Sequence, residues 1–206
     1  MMSFSLNEVD ATARKAARGA GYSWGLAEEA GKATRWLCAQ GLDGCAALAA
    51  LLQEPRHTPP TCAGAVWSGP GELCPLATGA ALSDFAADLA NGPIRLVEVA
   101  HPQLLLPFAA GAARHLGTVL TLSCDTLTAR TDGAGVDLAT IPAPPGTSDV
   151  TVSIGGAMAG TRAKHTRATP DPADWESLTG FAARTYAPAT DASRRLGAGA
   201  GLSDND

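Results

Sequence analysis

Aromatic residues make up only 5% of this 206-residue chain, and charged residues only 17%. With so few rings, no aromatic cluster can dominate a core. Stability has to come from Leu, Val and Ile, and from many alanines whose small side chains let helices approach closely while each contact buries little area. Low charge beside 46% hydrophobic residues excludes the charge-rich, hydrophobicity-poor composition of disordered chains. Positive charge is also scarce: 15 Lys and Arg stand against 20 Asp and Glu, a net charge of −5. Nucleic-acid backbones are held by a basic stripe that displaces counterions. The densest basic run here is Arg162-Ala163-Lys164-His165-Thr166-Arg167, so no nucleic-acid partner is expected. That run reads as a solvated loop, with a grip on a phosphate or carboxylate as the alternative.

Long apolar runs are missing too. No stretch of 18 residues is apolar enough to span a bilayer, and the opening Met1–Glu8 meets charge before any signal-peptide core develops. The expectation is a cytoplasmic protein with no membrane association. Cysteine is odd in number, at positions 38, 45, 62, 74 and 124, which fits a reducing compartment and small buried side chains. No two pairs have zinc-site spacing, so no metal is expected. There is no phosphate loop, no paired-histidine zinc helix and no Gly-x-Ser-x-Gly elbow. Gly197-Ala-Gly-Ala-Gly201 has the wrong spacing and context for a dinucleotide fingerprint, so no cofactor is expected either.

The first third carries helix signals. Ser5 and Glu8 form a capping box, and Val9, Ala13, Ala16 and Ala20 follow at helical spacing. Ser23 can cap a second helix with Leu26, Ala30, Ala33 and Leu37 inward. Cys45, Leu48, Ala49 and Leu52 line a third helix, ending before Pro55. Residues 55–79, rich in Pro, Gly and Thr and anchored only by Trp67, are expected to be a long loop serving as a lid or an interface. A short helix is expected over 83–90.

Strand signals follow at Ile94–Ala100, Thr118–Ser123, Thr126–Thr131, Val136–Ile141 and Val150–Ile154, with Asp132-Gly133 as a hairpin turn. A helix from Pro107 separates the first two strands, which places them as a parallel pair. Asp171-Pro172 opens a last helix, with Trp175, Leu178, Phe181 and Ala182 inward. The fold class expected is α+β: N-terminal helices packed on a mostly antiparallel sheet, then a C-terminal helix and an extended tail. Residues 1–196 are taken as one globular domain and 197–206 as a Gly/Ala-rich tail.

Catalytic pairings are few. Glu98 and His101, at the end of a strand, are the best acid/base pair on offer, although a histidine before proline is also an ordinary strand terminator. The two ends hold more polar chemistry. Arg18, Trp24 and Glu28 lie where a helix begins, and Tyr186, Ser193 and Arg194 lie near the close. Brought together, they suit a small anionic ligand, with Glu28 available to an amine. Packing of Trp24 and Tyr186 as anchors accounts for the same residues.

The segments Leu6–Val9, Ala16–Gly21, Trp24–Ala30, Arg184–Tyr186, Ser193-Arg194 and Gly197–Asp206 resemble a family of uncharacterised bacterial proteins of the alphaproteobacterial type. That resemblance implies kinship and assigns no activity. The opening, down to Gly41-Leu-Asp-Gly44, is also similar to the start of the malate and lactate dehydrogenases that lack a Rossmann fold. Those continue with Ser-His-Gly where this chain has Cys45-Ala-Ala, and they are much longer, so no catalytic histidine carries over. Two functions are expected: an accessory subunit that binds a metabolic enzyme or copies of itself, or a small-molecule enzyme or binding protein for an amino acid, amine or carboxylate. In the second, the site is formed by the N- and C-terminal segments.

Overall fold

The helical third assembles from its caps. In the computed structural model, which describes residues 2–139 and 146–186, α1 (Leu6–Gly19) opens on the full capping box. The Ser5 N–H donates to Glu8 Oε2 at 2.7 Å, and the Glu8 N–H donates to Ser5 Oγ at 3.2 Å. Ser23 caps α2 (Trp24–Ala39), and Asp43 caps α3 (Gly44–Gln53) through Oδ1 and the Ala46 N–H at 3.0 Å. Asp171 caps α6 (Pro172–Ala183), whose Leu178, Phe181 and Ala182 are buried.

Alanine sets the spacing. Ala13, Ala16 and Ala17 of α1, with Ala27, Ala30 and Ala33 of α2, are all buried in one continuous core, so little but methyl groups separates the backbones. Where even a methyl is too large, glycine stands: a Cβ on Gly19 would lie 1.8 Å from the Phe181 carbonyl oxygen. α1 and α6 are thus in direct contact.

Seven strands form the main sheet, in the order β2-β3-β4-β8-β5-β6-β7. They are β2 (Thr61–Ala63), β3 (Val66–Ser68), β4 (Ile94–Ala100), β5 (Leu120–Cys124), β6 (Leu127–Thr131), β7 (Val136–Leu138) and β8 (Thr147–Ile154). Every pair is antiparallel except β3 with β4. The α+β class holds, with a mixed, mostly antiparallel sheet. Leu120, Leu122, Leu127, Ala129, Val150 and Val152 turn inward, while Thr121, Ser123, Thr128, Arg130, Thr151 and Ser153 alternate with them on a half-exposed outer face, as a period of two requires.

Three expectations are corrected. β4 and β5 run in the same direction across α5 (Leu106–Leu116), yet they do not pair, because β8 inserts antiparallel between them. A helical crossover spans two inter-strand spacings as readily as one, and β8 fills the gap. Residues 55–79 are not one loop: they hold the β2–β3 hairpin and the first turns of α4 (Pro75–Asp84). Pro75 in the first turn is compatible with a helix, and the Cys74 Sγ accepts from the Ala77 N–H at 3.5 Å. The helix expected over 83–90 is therefore the end of α4 followed by a 3-10 segment, Ala86–Asn91.

Unforeseen from sequence is a two-stranded ribbon of β1 (Phe4–Ser5) with β9 (Arg167–Ala168). Phe4 stacks on Trp175 of α6, with ring centroids 3.9 Å apart. Residues 140–145 and 187–206 lie outside the described part, and with them Ser193, Arg194 and the 197–206 tail.

Candidate active site

Among the described residues, the most unusual backbone lies at the end of β4. Two of the described residues that are not glycine have positive φ, Glu98 at +52° and His101 at +46°. Glu98 sits in a bulge where the β4–β8 register shifts between Leu96 and Val99. Its N–H donates to Asp149 Oδ1 at 2.9 Å, and its carbonyl accepts from Leu73. The bulge bends the strand and re-pairs Ala100 with Thr147. His101 then adopts the left-handed conformation, with its N–H on the Gly146 carbonyl at 2.9 Å and its own carbonyl receiving the Leu104 N–H. A side chain in that region costs about 1–3 kcal/mol, and the next residue, Pro102, normally biases its predecessor toward extended backbone.

This strained histidine borders a cleft of about 470 Å³, lined by Ala50, Gln53, Glu54, Arg56, Glu72, Ala100, His101, Gly146 and Thr147. Four separate stretches of chain converge there, two of them the end of β4 with Ala100 and His101 and the start of β8 with Gly146 and Thr147. The end of α3 and the residues just after it supply Gln53, Glu54 and Arg56, and the segment before α4 supplies Glu72. Glu72 is the hub: Arg56 Nε donates to its Oε2 at 2.5 Å and the Thr147 hydroxyl to its Oε1 at 2.7 Å. Arg56 Nη2 reaches Glu54 Oε2 at 3.0 Å. Both partners of the Arg56–Glu72 pair remain about one-third exposed, so the network positions side chains more than it adds stability. The Thr147 hydroxyl, followed by Arg56, holds the Glu72 carboxyl below the usual carboxylate range.

Arg56 is itself held from behind. Tyr22 is fully buried, and its hydroxyl donates to the Arg56 carbonyl at 2.9 Å while its ring tilts against His57 at 4.6 Å. Burial raises the Tyr22 phenol far above its ordinary value, so it stays a neutral donor.

His101 is half-buried, and its Nδ1 is buried with no hydrogen-bond partner. Burial, then the nearby Arg56 charge, lowers its pKa below 6.5; at pH 7 the ring is a neutral base. Protonation is thus favoured in the unfolded chain over the folded one. Stability is full above about pH 6.5 and is lost as the pH falls from there through the lower folded-state value. The carboxylates held low by hydrogen bonds, Glu72, Asp132 and Asp149, add their losses only below their own ordinary values near 4. Urea midpoints measured between pH 7.5 and 5 should therefore fall, and the fall should be much flatter in His101→Gln. An equal fall in both proteins would contradict the assignment.

No hydrogen bond joins Glu98 to His101 among the described residues, so the expected pair is not formed. The bulge leaves Glu98 exposed, and the charges that act on His101 are Arg56, Glu72 and Glu54. Of the end-segment residues, Arg18 donates to the Tyr22 carbonyl and lies 4.4 Å from the centre of the exposed Trp24 ring. Tyr186, also exposed, accepts from Lys15 Nζ at 3.2 Å. Lys15 and Arg18, three residues apart, share a face of α1, so Arg18, Trp24 and Tyr186 are gathered on one surface. Glu28 is exposed on α2. His101 stands out in the sequence, but with Glu98 as its partner; Arg56, Glu72 and Thr147 escaped sequence reasoning, since nothing in spacing links positions spread over ninety residues. The available signal was charge in an otherwise sparse chain, in Glu54-Pro-Arg56-His57 and Gly71-Glu72.

Among the described residues no His, Cys, Asp and Glu group has metal-binding geometry, and no helix is long and apolar enough to cross a membrane. Residues 4–90 match a family model described as a protein of unknown function (DUF3726). The matched stretch holds Arg18, Trp24, Glu28, Arg56 and Glu72 and ends before His101 and Thr147. No curated protein matches the chain. Among solved structures, malate dehydrogenase from Entamoeba histolytica is similar over 74% of this chain at 9% identity, with a TM-score of 0.47. The chain spans about half of that protein, 49% of its length.

Proposed function

We propose that this protein is a small-molecule enzyme that binds an uncharged or cationic polar metabolite in the His101 cleft, with His101 withdrawing a proton from it. The observation that carries the proposal is a histidine held in a costly backbone conformation, with a neutral imidazole, at the edge of a polar cleft. Strain that survives in a fold is concentrated where it serves a site, and an imidazole that burial keeps neutral at pH 7 is free to act as a general base, a role worth about 10²- to 10⁴-fold. Glu54 and Glu72 outweigh Arg56 by one negative charge, which favours an amine or hydroxyl compound over an anion. Thr147 and Gln53 offer further hydrogen bonds to orient it.

A thermal-shift screen tests this. Ligands that bind only the folded state raise the melting temperature with concentration. Amines, amino alcohols and polyols should give the shifts, and dicarboxylates and phosphates should not. A flat response across all classes would remove the proposal.

A second reading, an accessory subunit that docks on a metabolic enzyme or on a second copy, is favoured by the Arg18–Trp24–Tyr186 surface. Trp24 is 68% exposed and Tyr186 64% exposed, and Trp, Tyr and Arg are the residue types that anchor interfaces. A mass by light scattering that stays monomeric at all concentrations, with no enzyme recovered on Trp24-dependent pull-down, would remove it.

A further inference from the structure

We propose that Cys38 and Cys45 are a redox pair that a hydroperoxide converts into a reversible disulfide. Their Sγ atoms lie 3.9 Å apart, at the end of α2 and the head of α3. The connecting turn is 40–43. The close approach depends on glycine: a Cβ on Gly44 would sit 2.6 Å from the Thr34 carbonyl oxygen, 2.9 Å from Leu37 Cβ and 3.3 Å from Cys38 Sγ. A disulfide needs the sulfurs at about 2.0 Å, which these two side chains reach by closing about 2 Å across a contact they already make.

The two thiols are unequal in the way exchange chemistry requires. The Cys45 thiol hydrogen bond, with help from the Gly44 and Cys45 N–H groups at the head of α3, lowers the Cys38 pKa. The same contact and burial raise that of Cys45. Cys38 is therefore the attacking thiolate and Cys45 the resolving thiol.

A route to the sulfurs exists. Both line a cavity of about 190 Å³ with Asp43, His165, Arg167 and Thr169, ample for a small peroxide. The basic run that appeared in the sequence as a solvated loop closes over this cavity. Arg162 donates to the carbonyls of Gln40 and Gly41 at 2.9 and 3.0 Å, and the His165 N–H donates to the Ala39 carbonyl at 2.8 Å. The charge that bears on Cys38 is that of Asp43, which opposes ionisation, so the lowering of its pKa comes from hydrogen bonds.

The steps balance. The Cys38 thiolate attacks one peroxide oxygen; an S–O bond forms, the O–O bond breaks, and the leaving oxygen takes a proton from solvent to depart as water or alcohol. Cys45 sulfur then attacks the Cys38 sulfenic acid; the S–S bond forms, the S–O bond breaks, and the oxygen leaves as water with the Cys45 proton. Two thiols are oxidised by two electrons and one peroxide is reduced, and a dithiol reverses the change.

The test uses the full chain. It is treated with hydrogen peroxide, free thiols are blocked with N-ethylmaleimide, and the tryptic peptide Trp36–Arg56, which contains Cys38 and Cys45 and no other cysteine, is weighed. The expected peptide has lost two hydrogens and carries no blocking group, and prior dithiothreitol restores both additions. In Cys45→Ser, Cys38 should stop at the sulfenic acid and take up dimedone. Full blocking of both thiols while the exposed Cys62 is oxidised would overturn the proposal. So would oxidation of Cys38 to the sulfinic acid in the unsubstituted chain with no S–S bond.

Discussion

Replacing His101 by glycine is expected to raise stability by about 1 kcal/mol at pH 7 and to abolish the ligand response. The left-handed backbone costs a side-chain-bearing residue about 1–2 kcal/mol, and a buried unpaired imidazole nitrogen costs about 1–3 kcal/mol. Against these gains stand about 0.5–1 kcal/mol for glycine's extra freedom in the unfolded chain and the lost contacts of a half-buried ring. Most core substitutions destabilise, so a stabilising change with loss of function separates a residue kept for chemistry from one kept for packing. Urea denaturation measures the first effect and thermal shift with the best screening ligand the second. A His101→Gly protein that is less stable by more than about 1 kcal/mol, or that still responds to the ligand, would show that the histidine is an ordinary strand terminator.

Trp67→Ala is expected to cost about 3–5 kcal/mol, the range for deleting a large buried ring. Trp67 is 1% exposed, pairs with Leu96 across the parallel junction of β3 with β4, and meets Phe85 edge-on at 6.1 Å. Its Nε1–H donates to the Gly64 carbonyl at 3.2 Å. Its neighbours β2 and the rest of β3 are exposed, so no other side chain secures the hairpin. Against a typical total of about 5–15 kcal/mol, that loss is large. Trp67→Phe should recover about half of it by keeping the ring contacts. Denaturant midpoints check both; a cost under about 1 kcal/mol for the alanine variant would mean that the hairpin is held by backbone pairing alone.

The fold was legible wherever a local device carried it. The Ser5–Glu8 box, the Ser23 and Asp171 caps and the Asp132-Gly133 turn each act over three or four residues, and each opens or closes an element where expected. The strand Ile94–Ala100 was readable from its own branched side chains. What escaped is non-local. The insertion of β8 between β4 and β5 depends on which edges remain unpaired after the helices dock. The β2–β3 hairpin has three-residue strands with exposed faces, too short for a period of two to register. α4 was hidden because Pro75, usually a breaker, sits in a first turn.

The same division applies to the site. His101 stood out through its place at a strand end, but its conformation depends on the bulge at Glu98, which no pattern announces. Arg56, Glu72 and Thr147 were invisible because their only link is three-dimensional. Tyr22 lies two residues before Trp24 in the sequence. In the fold the two part ways: Tyr22 turns inward to hold Arg56, and Trp24 stays outside under Arg18.

The central claim is that a neutral His101 imidazole faces the ligand. Chemical shifts of ring-labelled histidines, followed through a pH titration with and without the best screening ligand, test it directly. The account predicts one imidazole, absent from the His101→Gly spectrum, that titrates below 6.5 and moves on ligand addition while those of His57, His115 and His165 do not. A ligand that shifts His165 or none of the four, or a His101 that titrates above 6.5, would contradict it.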